Sequence, residues 1–239
     1  MKPSPLNLMK RIIVGVCSTR HDDRFWDSFF KFMKDCSVEY DINAIILKNQ
    51  FLPYAQNSLA DSMIMCRADY LLLLDDDQWG HTKEMLDCLI NADAYVATMK
   101  TYSRHYPYCC ALMAKLNDNG LYVGIENGEG YKEVDMCGFP MTLIKRELFE
   151  KLEKPYFTAV EALDRNWHTD LPFYNRLAEI GIKPIGCFQH CLNHDKVTQD
   201  NVMQLRDDES RERNNRVLLD ALFLKHQEFT RQQELVGKV

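Results

Sequence analysis

The chain has 239 residues, 46% hydrophobic and 27% charged, with 10 Gly and 8 Pro. That is the composition of an ordinary folded domain and excludes collagen-like, low-complexity and wholly disordered chains. Lys+Arg 29 against Asp+Glu 35 leaves a net charge of -6, which argues against a broad nucleic-acid-coating surface and leaves a local basic groove open.

Residues 1–11 hold Lys2, Lys10 and Arg11 but no apolar run of signal-peptide length. No stretch approaches the roughly 18 apolar residues of a membrane span. Nine cysteines, an odd count placed mostly in apolar contexts, read as reduced core thiols. The expectation is a cytoplasmic protein with no membrane span.

Residues 12–17 (IIVGVC) form a short apolar run that ends in Ser18-Thr19-Arg20, the pattern of a buried parallel strand entering a loop. Residues 26–33 predict a helix with aromatics on one side, 43–47 a second strand, and 57–67 a second helix. Residues 70–74 (YLLLL) are a third buried strand, followed at once by Asp75-Asp76-Asp77. Thr82 is a candidate N-cap for a helix with a Met85, Leu86, Leu89, Ile90 stripe, and 94–99 predict a fourth strand. This alternation indicates a mainly parallel sheet with helices on both faces, and it puts the loops at Ser18 and Asp75 on the ligand-binding edge.

The second half changes character. Alternation at Leu121, Val123 and Ile125, turn residues Asn127 and Gly128, and a run at 131–134 predict a hairpin or meander. Residues 141–144 are strand-like, 146–152 a short helix, and 170–180 a helix closed by Gly181. Residues 206–235 are expected to form a C-terminal helix.

Three carboxylates at the exit of a buried strand exceed what a polar turn or a helix cap requires. In an extended segment Asp75 and Asp77 project to one side and Asp76 to the other. Like charges at that range call for a cation, most simply a hard divalent ion. Such an ion suits chemistry in which a diphosphate leaves. There is no GxxxxGK(S/T) loop and no GxGxxG after the first strand, which disfavours P-loop hydrolysis and dinucleotide oxidoreduction.

The leucine strand running into Asp75-Asp76-Asp77 resembles the DxD signature of nucleotide-sugar glycosyltransferases with the GT-A fold, especially small members similar to family 2. Three further stretches match in order. Residues 57–60 (NSLA) resemble the family's RN-x-L/A segment, with Gln56 where Arg is usual. Residues 138–152 (GFPMTLIKRELFEKL) resemble the acceptor-side segment with L-I-R-R and a following F-x-x-L. Residues 169–183 (TDLPFYNRLAEIGIK) resemble E-D-x-x-F-x-x-R-L-x-x-x-G-x-K, with Thr169 replacing the Glu.

The resemblance covers residues 11–197. It implies an α/β, GT-A-like (Rossmann-like) fold: a mostly parallel sheet flanked by helices, an antiparallel acceptor-side subsheet and a C-terminal helix. The chain is then a single domain, with about 11–100 binding the nucleotide-sugar, about 101–200 carrying acceptor and catalytic parts, and about 201–239 a helical extension.

The resemblance also implies an activity: metal-dependent transfer of a sugar from a nucleotide-sugar, taken as UDP-linked, to a hydroxyl acceptor. Mn²⁺ or Mg²⁺ would be held by Asp75, Asp77 and His194, the last by its distance after the Gly181-Ile182-Lys183 segment. Asp170 matches the base that inverting relatives use on the acceptor hydroxyl, although a first-turn acid also suits a helix start. Donor contacts fall to Ser18, Thr19, Arg20, Asp75, Asp76 and Asn57, with a helix-capping role equally open for Asn57. Arg104, His105, Tyr106 and Tyr108 form a basic-aromatic loop, and Tyr156, Phe157, Trp167 and His168 flank a candidate lid.

Cys187, His190, Cys191 and His194 carry soft ligands, so structural zinc is weighed. On a helix they spread over two turns, too far to close one tetrahedron. Two other classes stay in view. Nucleotidyl transfer shares the sheet edge and acidic ligands, but the Ser18-Thr19-Arg20 loop lacks the glycines that class brings. A non-catalytic nucleotide-sugar binder has little use for Asp170. The acceptor is open among a glycan, a protein, a metabolite and a modified nucleobase in DNA.

Overall fold

A computed structural model of the chain describes residues 9–19, 22–103, 113–118, 122–125, 128–161, 167–198, 200–201, 204–205 and 207–210. In chain order the elements are β1 (Arg11–Ser18), α1 (Asp23–Cys36), β2 (Asp41–Lys48), α2 (Leu52–Met65), β3 (Tyr70–Asp75), β4 (Gln78–Trp79), α3 (Lys83–Asn91) and β5 (Val96–Thr101). Then come β6 (Met113–Leu116), β7 (Tyr122–Gly124), β8 (Tyr131–Glu133), β9 (Met136–Cys137), β10 (Met141–Lys145) and α4 (Arg146–Phe149). The last are β11 (Val160–Glu161), β12 (Trp167–His168), α5 (Asp170–Glu179) and β13 (Ile185–His194).

The central sheet runs β2-β1-β3-β10-β5-β13-β4, with β8 on the side of β13. Strands β2, β1, β3, β5 and β13 share one direction; β10, β8 and β4 oppose it. A separate antiparallel sheet, β7-β6-β9, stands beside it. The carboxyl ends of β1, β3, β5 and β13 therefore open on one edge, where α/β sheets hold their ligands.

Strand β3 shows why a continuous leucine run is stable here. Leu71 and Leu73 enter the core on one face, with α2 and α5; Leu72 and Leu74 enter the other, with α1 and α3. A strand buried on both faces needs apolar residues at every position. Each such leucine contributes about 2 kcal/mol of burial. Gly15 in β1 allows α2 to approach, since a Cβ there would sit 2.7 Å from Leu59 Cδ1. Gly181 takes φ +70 and ends α5, as the sequence predicts.

The second half differs from expectation in its pairing. Where a hairpin or meander is expected, β7 pairs back on β6 and β8 pairs with β13, so among the described residues these two strands are not partners; Asn127 lies outside the described residues. Strand β10 inserts antiparallel between β3 and β5, so the fourth strand of the first half is not β3's neighbour. The cysteine-histidine octet is not helical but extended in β13. The expected C-terminal helix lies, from residue 211 onward, outside the described residues. No described helix is long and apolar enough to cross a membrane, and all seven described cysteines are free thiols.

Candidate active site at the carboxyl edge of the sheet

The three carboxylates after β3 have three different partners. Asp75 ends the strand, its N–H donating to Pro140 O at 3.2 Å and its Oδ2 accepting from Gln78 Nε2 at 3.4 Å. Asp76 and Asp77 form a turn into β4, so the extended geometry expected for 75–77 stops at Asp75. Asp76 is buried, and its Oδ2 accepts the Thr19 N–H at 2.8 Å, which fixes the loop leaving β1. Asp77 Oδ2 lies 3.1 Å from His194 Nε2.

His194 is held from its other side: Nδ1 lies 2.8 Å from Tyr102 O. A carbonyl only accepts, so Nδ1 carries a proton and Nε2 is the atom presented to Asp77. Two acceptors at 3.1 Å repel unless a proton or a cation stands between them. A proton shared between Nε2 and Oδ2, or a cation within reach of both, would satisfy the two atoms. The donor set, one imidazole nitrogen and one carboxylate, fits Mn²⁺. Among the described residues no group of three His, Cys, Asp or Glu side chains converges as a ready metal cage.

The local field is negative. Cys17 is opposite Asp75 in the β1–β3 register, and its thiol is pushed up to about 12 by burial first, then by the charges of Asp75 and Asp76. Ser18 is buried at the end of β1, its carbonyl accepting from Asn49 N at 2.9 Å. Arg20 and the loop with Arg104, His105, Tyr106 and Tyr108 lie outside the described residues.

Asp170 opens α5, and its Oδ1 accepts from Leu171 N at 2.9 Å. The hydroxyl of the fully buried Tyr174 is raised well above its ordinary value by burial first, then by Cys137, and also by the charges of Asp170 and Asp75. Tyr174 in turn donates to Gly138 O at 3.4 Å, two residues before the carbonyl that holds Asp75.

Asn57 lies inside α2, whose N-cap is Phe51, so it does not cap that helix, and its side-chain amide binds backbone groups. Its Nδ2 donates to Pro53 O and Phe157 O, both at 2.7 Å, and its Oδ1 accepts from Tyr156 N at 2.8 Å and Phe157 N at 3.1 Å. Those four bonds use the amide's full capacity. Arg176 clasps the same segment through the carbonyls of Glu153, Pro155 and Tyr156. Tyr156 and Phe157 are consequently core rather than lid: both are buried, with Phe157 stacked on Phe173 at 4.8 Å.

The zinc reading fails on geometry. Among the described residues no three His, Cys, Asp or Glu side chains converge to hold an ion, so Cys187, His190, Cys191 and His194 do not form a zinc site. Residues that no motif singles out also build this edge. The Tyr102 carbonyl and the Asp195 backbone carry no side-chain signal, and Trp79 and Arg24 lie 116 and 171 residues from the Asp195 carbonyl they bond.

No protein-family model matches the chain, and no curated protein matches it in sequence. Among solved structures, protein A197 from STIV superposes with TM-score 0.53 at 19% identity, covering 77% of this chain and 83% of that one. That likeness shows the fold. A Desulfovibrio desulfuricans protein described as a candidate nucleotide-diphospho-sugar transferase gives 0.45 at 7% identity, over 85% and 98% of the chains. An apo UDP-glucose pyrophosphorylase gives 0.41 at 8%, over 86% and 99%. Superpositions this loose carry no functional inference.

Proposed function

We propose that the chain is a metal-dependent glycosyltransferase that moves a sugar from a UDP-linked donor to a hydroxyl acceptor with inversion. One observation carries this reading: Asp77 from the turn after β3 and His194 from the end of β13 meet at 3.1 Å on the ligand edge of the sheet. A small divalent ion commonly takes one or two protein ligands and fills its shell with water and substrate phosphates. A pair of donors, rather than a closed cage, suits an ion that binds together with a nucleotide diphosphate. Asp75 is proposed as a third ligand that would turn to join the pair only when the ion binds, since no three such side chains converge among the described residues. Bound there, Mn²⁺ or Mg²⁺ would neutralise charge developing on the leaving diphosphate.

The chain's own residues do the rest. Asp76 holds the Ser18-Thr19 loop in place through the Thr19 N–H, which orders the donor side of the edge. Arg20 is a further proposed donor contact in that loop. Asp170 takes the acceptor proton, and its bond from Leu171 N–H orients the carboxylate for it.

The test is incubation with UDP-sugars and Mn²⁺, reading UDP and transferred or free sugar. Mn²⁺-dependent UDP release supports the reading. Pyrophosphate release from UTP plus a sugar phosphate, with no UDP from UDP-sugars, would assign nucleotidyl transfer instead.

A further inference from the structure

The turn that ends β13 is held at points the chemistry above does not use. His194 and Val197 exchange both backbone hydrogen bonds at 2.9 Å, closing a two-residue turn over Asp195 and Lys196. The Asp195 N–H and C=O fall outside that exchange and need partners elsewhere. The N–H donates to Asp77 O at 3.0 Å. The carbonyl accepts from the Trp79 indole Nε1 at 3.1 Å and from Arg24 Nη1 at 3.0 Å. Arg24 also reaches the Asp195 carboxylate at 3.3 Å and Asp22 at 2.7 Å, and its guanidinium lies 5.7 Å from the centre of the Trp79 ring. Asp195 itself sits at φ +53, a conformation that its surroundings must hold.

We propose that Arg24 and Trp79 are positioning residues for the Asp77–His194 pair, acting through the Asp195 carbonyl. The proposal rests on the reading of Asp77 and His194 as the metal-holding pair. Tyr102 fixes the imidazole about Nδ1, and the Arg24–Trp79 clamp fixes the backbone one peptide further on. If the Asp195–Lys196 peptide, which carries that carbonyl, turns, φ and ψ at Asp195 change with it; the adjoining His194–Asp195 peptide then loses its N–H bond to the Asp77 carbonyl and the gap between Nε2 and Oδ2 is no longer set. Arg24 comes from the first turn of α1 and Trp79 from β4, so the clamp ties the donor loop and the carboxylate turn to one point.

The test uses Trp79→Phe, which keeps a ring and loses the N–H, and Arg24→Gln, on a half-exposed side chain, singly and together. The first readout is the ¹⁵N imidazole spectrum of His194 without metal. The second is Mn²⁺ binding in the presence of UDP, followed by electron paramagnetic resonance. In the folded double variant the His194 Nδ1–H signal should shift, and Mn²⁺ should bind about 10-fold or more weakly, the scale of losing a partner that orients a ligand. Arg24→Lys, which keeps a charged donor, should recover part of both.

A wild-type His194 spectrum in the folded double variant overturns the proposal. So does Mn²⁺ weakening that merely follows a fall in melting temperature while that spectrum stays unchanged. Should Trp79→Phe not fold, Arg24→Gln alone carries the same test. If the wild type binds no Mn²⁺ but the variants move the His194 signal, the positioning stands and the metal reading falls.

Discussion

His194 Nε2 and Asp77 Oδ2 lie 3.1 Å apart although 117 residues separate them in the chain. The two are buried to a similar degree, with side chains 10% and 14% exposed. If this pair holds the ion, His194→Ala should abolish most of the thermal stabilisation that Mn²⁺ plus UDP gives the wild type. His190→Ala, four residues earlier on the same strand, should leave it intact. Equal stabilisation in both variants would remove His194 from the site.

Asp170→Asn should keep the bond to Leu171 N–H and the fold, but the amide cannot take a proton. Transfer should slow by roughly 10²- to 10⁴-fold with donor binding unchanged. A parallel fall in melting temperature would point to a helix-start role instead. Product stereochemistry is the independent check, because retention of the donor's anomeric configuration excludes this base.

Asn57→Ala breaks four hydrogen bonds, three of which hold residues 156–157 against α2. It should lower stability by about 2–4 kcal/mol in urea unfolding, since the backbone groups it leaves behind are partly buried. A loss confined to nucleotide affinity, with stability unchanged, would instead assign Asn57 the donor-contact role expected from the sequence.

His81 should make stability pH-dependent. Burial alone lowers it from 6.5 to about 3. Its Nδ1 lies 3.1 Å from the Ser28 hydroxyl, which itself accepts the Gly80 and His81 N–H groups. The folded pKa is depressed, so below 6.5 the unfolded chain binds the proton first and stability falls as pH drops towards 3. The cost at pH 5 relative to pH 7.5 is about 2 kcal/mol. His81→Asn should lose that part of the slope; an identical slope in the variant would contradict it.

The parts of this architecture that local chemistry dictates were legible in the sequence. Four leucines before Asp75 mark a strand buried on both faces, Thr82 caps α3 with a bond from Met85 N, and Gly181 stops α5. What escaped is pairing over long distances. Alternation at Val123 and around Tyr131 announces strands without naming their partners, and nothing in residues 141–145 announces insertion between β3 and β5. The octet's ligands suggested helix spacing, whereas Cys187 and Cys191 flank a register shift in β13. At the edge itself, Asp77 and His194 were singled out by motif. The structural bonds of Asn57 were not legible, because these partners are backbone groups about a hundred residues away.

The central claim is that Asp77 and His194 together hold a divalent ion that brings a nucleotide diphosphate to this edge. Calorimetric titration of UDP into the wild type and Asp77→Ala, each with Mn²⁺ and after chelation, tests it most directly. The account predicts that Mn²⁺ strengthens UDP binding to the wild type at least about 10-fold and that Asp77→Ala loses this gain, the scale on which a two-ligand contribution should show. UDP affinity that is the same with and without Mn²⁺, or a Mn²⁺ gain that survives in Asp77→Ala, would contradict it.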